Sequence, residues 1–206
     1  MTDQGLQGLL VLALQRQDEA RATVQRALDS LQPMQWYPPV GTVDMPVPEW
    51  YSAQGHDTSS AAGHTGIDLN LDRANWGDID RGQPGWAVTN GIVYAVGYSQ
   101  SYLGGVVIEV EHEGQPLYIR YWHLADDPTF RRWCIGAMVG AGDCVGHIGN
   151  YTLGAGGDHL HFDMRDRLFE PHWWFTSHPG GWKDPVPVLK AHMAPALVDE
   201  MLRKKR

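Results

Sequence analysis

An all-β body preceded by one amphipathic helix is the fold class this sequence predicts, on three observations. Its 206 residues are punctuated by 24 glycines and 13 prolines, which cut the chain into runs too short for a helical bundle. Those runs are rich in β-branched and aromatic residues, and around residue 160 apolar and polar side chains alternate with a period of two. A helical period marks the start, where Leu6, Leu10, Ala13, Gln17, Ala20, Val24, Ala27 and Leu31 fall at heptad-like spacing.

Asp3 to Leu31 reads as that helix, and Pro33, Pro38 and Pro39 close it, since proline cannot continue the hydrogen-bond ladder. Alanines at alternate seam positions permit close helix approach. Residues 1–33 are therefore a candidate for self-association or docking into a larger assembly, with packing on the chain's own body as the equal alternative. Residues 34–63, rich in Pro, Trp and Tyr, read as a linker turning into a loop that walls a groove. Trp36, Tyr37, Trp50 and Tyr51 there either pack as aromatic core or stack on a sugar or peptide.

The body is expected over 64–190, with strands at Gly91–Val96, Val106–Val110, Leu117–Tyr121 and Cys144–Ile148. Asp72 to Gly85 reads as a charged rim loop whose Asp78 and Asp80 could attract a cationic peptide group. Phe169, Trp173, Trp174, Phe175 and Trp182 form an aromatic patch, expected to cover the open end of a barrel or to serve as a carbohydrate platform. Residues 191–206 read as a short helix such as Val198 to Lys205 with a basic tail, cations being favourable at a helix C-terminus.

With 43% hydrophobic residues the chain can bury a core. A net charge of −8 argues against non-specific nucleic-acid binding, which depends on Lys and Arg neutralising phosphates. The apolar run Leu9 to Leu14 is too short to cross a bilayer, and the acidic start MTDQGLQG does not read as a secretory signal. Cys134 and Cys144 fit no metal-ligand spacing and are either a disulfide or two thiols.

The chemistry concentrates in GHTGIDL, RYWHLAD and GDHLHFDMR, which carry His64, Asp68, His123, His159 and His161. A histidine four residues before an aspartate occurs three times, as His64/Asp68, His123/Asp127 and His159/Asp163, so spacing alone does not select the ligands. Leu160, Phe162 and Met164 alternate with His159, His161 and Asp163, the pattern of a half-buried strand with both imidazoles on one side. Two residues apart on a strand is ~6.6 Å, which suits one ligand and one neighbour. His64 and Asp68 would stand ~13 Å apart on a straight strand, far more than a shared zinc with ligands at ~2.0 to 2.2 Å allows. The backbone must bend there, and Gly63 and Gly66 supply the freedom. Thr65, Gly66 and Ile67 argue against a helix at the same place.

These segments resemble the signatures of the LytM/lysostaphin-type (β-lytic) zinc metalloendopeptidases, which cut peptidoglycan peptides. KDPVPVL, with Asp184 and Pro185, is similar to the family's closing Asp-Pro segment, so the resemblance runs from roughly Val40 to Leu189. It implies a barrel-like antiparallel sheet of the LytM/duplicated-hybrid-motif kind, with the metal in a groove between loops. By the same resemblance His64, Asp68 and His161 would hold one Zn²⁺ and leave the fourth position to water, the arrangement of a catalytic site. His159 and His123 look like the two non-ligand histidines. His159 is assigned the general base and His123 the oxyanion or leaving amine, the two sharing the duty.

The implied partner is a peptidoglycan stem or cross-link peptide, reached without an export signal through a lysis pore, by specialised secretion or as a particle component. A phage lysin or virion-associated lysin is consistent with this. The alternative is a non-enzymatic wall-binding or activator module, or a structural part of a virion or secretion assembly. The family often places a tyrosine just before the first histidine. Here Asp57 and Thr58 stand nearest that place, with Tyr51 farther back and His56 as an alternative donor.

Overall fold

The computed structural model describes residues 36–42, 46–56, 63–71, 79–151, 157–168 and 181–203. The helix expected at Asp3–Leu31, Asp57, Thr58, Asp78 and the aromatic residues from Phe169 to Phe175 lie outside them.

Strands dominate the described residues, as the glycine and proline punctuation predicts. They are β1 (Trp50–Gln54), β2 (Gly66–Leu71), β3 (Pro84–Trp86), β4 (Gly91–Ser99), β5 (Leu103–His112), β6 (Gln115–Leu124), β7 (Met138–Val139), β8 (Cys144–His147), β9 (Leu160–Arg165) and β10 (Trp182–Lys183). Three short helices, α1 (Pro128–Arg131), α2 (Pro185–His192) and α3 (Pro195–Met201), complete them with one 3-10 turn at Val47–Glu49. All four expected strands are present, as β4, β5, β6 and β8.

The main sheet runs β1-β2-β9-β6-β5-β4-β7, with β10 continuing alongside β9, and its pairs are antiparallel. Strands β3 and β8 form a separate two-stranded sheet. The antiparallel sheet agrees with the expected fold, and among the described residues it is an open path ended by β1 and β7 rather than a closed barrel. Strands β5 and β6 are joined at Glu113 and Gly114, both with positive φ (54° and 74°), the two-residue turn whose twist matches the flanking strands.

Ile67 and Leu69 of β2, Leu160, Phe162 and Met164 of β9, Ile119 and Tyr121 of β6 and Val106 and Ile108 of β5 build the core face. Burying each of the larger aliphatic or aromatic side chains contributes about 1.5–3 kcal/mol. The expectation of a half-buried β9 is corrected, because its polar face is buried too: His161, Asp163 and Arg165 are at most 5% exposed. Arg120, Trp122 and Trp182 cover that face, and Val107 and Tyr118 make a small second cluster with Tyr94, Ala95 and Trp182.

Trp36, Val40, Val47 and Trp50 belong to the core, so Trp36 and Trp50 pack rather than wait for a ligand. The Trp36 ring stacks on His192 at 4.5 Å. Near the C-terminus Asp184 caps α2 by accepting from the Val186 amide at 3.0 Å, and Pro185 starts the helix. The helix expected at Val198–Lys205 instead spans Pro195–Met201, because Pro195 fixes the first helical position. Cys134 and Cys144 are free thiols, which settles the disulfide alternative. Among the described residues no helix is long and apolar enough to cross a membrane.

Candidate metal centre

Strands β2 and β9 pair so that Asp68 lies directly opposite His161, and neighbours across a pair hold their Cβ atoms about 4.5–5.5 Å apart. His64 sits two residues before β2, and its ring returns towards that pair. Its Nε2 is 3.1 Å from Asp68 Oδ1 and 3.2 Å from His161 Nδ1, while His161 Nδ1 is 2.8 Å from Asp68 Oδ1. The bend required between His64 and Asp68 is therefore present. Gly66 contributes through close approach: a Cβ there would lie 2.2 Å from the Phe162 carbonyl oxygen and 2.4 Å from Asp163 Cβ. Any side chain would push β9, and His161 with it, away from Asp68.

Hydrogen bonds on the outer sides of the rings decide where the lone pairs point. His64 Nδ1 is 2.9 Å from the Gly55 carbonyl oxygen, which can only accept, so Nδ1 carries the proton and Nε2 the lone pair. His161 Nε2 is 2.9 Å from Asp163 Oδ2, so the neutral ring has its lone pair on Nδ1. Two imidazole lone pairs and a carboxylate oxygen thus face one point within 3.2 Å of one another. Such a cluster of acceptors calls for a cation. Donors placed tetrahedrally at ~2.0 to 2.1 Å from zinc lie ~3.3 Å apart, close to the separations seen, so the residues fit the ion.

The electrostatics agree. Burial works against charge on His161, yet hydrogen bonds to Asp163 and Asp68 outweigh it and push its pKa up to about 9. The two carboxylates demand positive charge at that ring, and a divalent cation would supply it in place of the proton. Asp68 is buried, which alone would raise its pKa, but hydrogen bonds from His161 and His64 hold it well below the usual carboxylate range.

His159 and His123 stand beside this cluster. His159 donates from Nδ1 to the Gly157 carbonyl at 2.8 Å, and its Nε2 lies 3.4 Å from Asp68 Oδ1. His123 comes from a defect in the β5–β6 pairing: Gly104 faces Leu124 and Gly105 faces Trp122, leaving His123 unpaired with φ +65°. This bulge breaks the side-to-side alternation and turns the imidazole to the same side as Trp122, on which it stacks at 5.1 Å. A non-glycine residue held in the left-handed region costs of order 1–3 kcal/mol, which the surrounding packing must offset. His123 Nδ1 is 3.1 Å from the Tyr102 carbonyl, and its ring meets His159 edge-on at 4.7 Å. Burial, then the neighbouring histidines His159 and His161, hold the His123 pKa well below the ordinary histidine value. Burial likewise lowers that of His159.

All five sequence-predicted residues therefore converge, and the structure adds others. Tyr151 stacks face-on over His123 at 3.8 Å and meets His159 edge-on at 5.3 Å. Its amide donates to Asp158 Oδ1 at 2.6 Å, and Asp158 Oδ2 accepts from Arg81 at 2.7 Å. Asp163 and Arg120 form a fully buried ion pair behind His161. Asp163 was within reach of the period-two pattern, since it shares a strand face with His161. Arg120 and Tyr151 carry no local signal. His56 hydrogen-bonds the Thr65 carbonyl at 2.9 Å, and Tyr51 pairs with Asn70 across β1 and β2. Asp80 is corrected as a rim carboxylate. It is 4% exposed, and its Oδ2 accepts from the Leu71 amide.

Comparison with known proteins bears on the whole arrangement. Among solved structures the chain is similar to lysostaphin from Staphylococcus simulans, an antimicrobial peptidase, with 21% identity, coverage of 75% of this chain and 54% of that one, and a TM-score of 0.51. It spans about half the length of that protein. LytU is 23% identical over 76% of this chain and 92% of its own, with a TM-score of 0.50. A chain of the SpoIIQ–SpoIIIAH pore-forming complex is 18% identical over 78% and 92%, also at 0.50. At such identities the likeness is one of fold. No curated protein matches by sequence. The profile of Peptidase family M23 matches residues 62–171, just over half of the chain and all five converging residues, and the chain belongs to that family.

Proposed function

We propose that the chain is a zinc-dependent endopeptidase that hydrolyses peptide bonds in peptidoglycan stems or cross-links, with one ion held by His64, Asp68 and His161. The observation that carries this reading is the meeting of three lone-pair donors, from residues 64, 68 and 161, within 3.2 Å of one another beside two further imidazoles. The fold alone does not carry it, because a similar fold occurs in a pore-forming complex.

A zinc ion at this point would polarise the scissile carbonyl and bring the pKa of water down towards ~7. The chain's own residues supply the rest. His159, with Nδ1–H committed to the Gly157 carbonyl, keeps a lone pair on the Nε2 that lies nearest Asp68, and it takes the proton of the attacking water there. His123 is likewise committed at Nδ1 to the Tyr102 carbonyl. Its Nε2 starts as an acceptor, so it serves the oxyanion or the leaving amine only once it has taken up a proton, either from solvent or the one that His159 removes from the water; that water proton ends on the leaving amine as the C–N bond breaks. The low pKa values of both rings keep these lone pairs free at neutral pH.

The test is digestion of purified murein, directly cross-linked and glycine-bridged, by zinc-loaded protein, with fragments identified by mass spectrometry. New amine and carboxyl ends at stem or bridge peptides are expected. Both murein types left intact by protein containing one zinc per chain would overturn the enzymatic reading in favour of a wall-binding module. Action as a phage or virion-associated lysin belongs to the same proposal and is supported by the wall-peptide chemistry alone. Self-association or docking through residues 1–33 is supported by their heptad-like spacing.

A further inference from the structure

Asp163 is fully buried, and it lies behind the ring of His161 on the side away from Asp68. Its Oδ2 is 2.9 Å from His161 Nε2 and accepts from Thr65 Oγ1 at 2.7 Å. Arg120 closes the other side with two N–H donors, Nε to Oδ1 at 3.1 Å and Nη2 to Oδ2. We propose that Asp163, held in place by Arg120, sets the strength of the metal grip: it is a positioning residue that fixes His161 and the segment carrying His64 in the binding geometry. The proposal rests on the zinc reading above.

Three features separate this arrangement from an ordinary buried ion pair. The acceptor capacity that Arg120 leaves unused goes to two groups that carry the ligands: His161 itself and Thr65, the residue after His64. One carboxylate therefore ties together two ligand segments 97 residues apart in sequence. A carboxylate cannot donate, so it forces the proton of His161 onto Nε2 and leaves Nδ1 open towards Asp68 and His64. Arg120 is matched to its place by register, lying directly opposite Asp163 in the β6–β9 pairing. Its guanidinium is held between the rings of Trp122 and Trp182, 4.1 and 4.9 Å from their centroids. A lysine would offer neither the flat stack nor the two-pronged contact.

The experiment is zinc titration of the metal-free full chain against a competing chromophoric chelator, for the wild type and for Asp163→Asn. The expected result is a 10- to 100-fold weaker affinity in the variant, the range seen when such a partner of a ligand histidine is removed. Because Asp163→Asn leaves Arg120 charged and buried without its partner, folding is checked by circular dichroism. The double variant Asp163→Asn with Arg120→Met, which leaves no unpaired buried charge, should show the same loss.

A folded variant that binds zinc as tightly as the wild type overturns the proposal. If neither variant folds, nitrogen-15 NMR of His161 in the zinc-loaded wild type decides. Metal on Nδ1 with a slowly exchanging proton on Nε2 supports the proposal, and metal on Nε2 overturns it. A wild type that takes up no zinc defeats the function proposed above and this inference with it. A wild type that binds, beside a variant that binds equally well, defeats this inference alone.

Discussion

Two pairs of imidazoles in this protein have the same nitrogen–nitrogen distance and different surroundings. His64 Nε2 and His161 Nδ1 are 3.2 Å apart, as are His192 Nε2 and His112 Nδ1 at the ends of α2 and β5. In the first pair the outer nitrogens are committed to the Gly55 carbonyl and to Asp163, so both inner nitrogens present lone pairs, and Asp68 adds a third donor. In the second pair, among the described residues, no third metal donor gathers, and one ring can donate to the other. The contact is then a satisfied hydrogen bond packed on Trp36. Proximity of histidines does not make a metal site. What sets the first pair apart is that a backbone carbonyl and Asp163 hold the outer nitrogens as donors, while Asp68 joins the inner lone pairs.

The sharpest way to break this contrast is to delete one ring from each pair. His161→Ala should lower zinc from one ion per chain to below about 0.1 and abolish murein hydrolysis, since two remaining protein ligands fall short of the three that a catalytic zinc site uses. His192→Ala should keep its full complement, as read by elemental analysis of dialysed protein. Equal zinc loss in the two would erase the distinction. His159→Ala comes next: zinc stays, and hydrolysis falls about 10²- to 10⁴-fold, the usual contribution of a positioned proton acceptor.

Each region also holds an imidazole against an aromatic ring, and those rings should differ in what they support. Trp36→Ala opens a cavity in the core and should cost about 3–5 kcal/mol of stability in denaturant melts, with zinc retained. Tyr151→Ala, beside His123 and His159, should lower kcat about tenfold through looser placement of His123 while zinc and KM change little. Tyr151→Phe should restore the rate if stacking is the whole contribution.

The smallest effect is in pH dependence. Burial, then His112, lowers the His192 pKa below 6.5. The folded state therefore binds fewer protons than the unfolded one, so this contribution is fully present above the unfolded value and is lost as pH falls through it towards the folded one. His192→Gln should flatten the decline of melting temperature below about pH 6.5, and an unchanged slope would assign that decline elsewhere.

What the sequence displayed of the site was its local part. His64 and Asp68 lie within one bend, and His159 and His161 within one alternating strand, so local pattern made them candidates, while the resemblance of the three segments chose among them. Arg120 joins Asp163 only through the register of β6 on β9, a pairing across 43 residues that no local pattern encodes. The bulge that turns His123 to the side of Trp122 is equally silent, because it is an irregularity in how two strands pair. Strand identities followed from glycine, proline and β-branched runs. Closure of the sheet did not, since it depends on whether the edge strands β1 and β7 find each other. Asp80 reads as a surface charge within a polar run, but its carboxylate turned inward to the Leu71 amide.

The opposed placement of Asp68 and His161 reaches beyond catalysis. An ion gripped by residues 64 and 161 would cross-link the chain over 97 positions, in a protein whose two cysteines are unlinked. A covalent tie over a loop of that length restricts the unfolded chain by about 4 to 5 kcal/mol. Metal occupancy would then govern how much heat the whole body withstands, and a chelator would act on it much as a reductant acts on a disulfide-bonded domain.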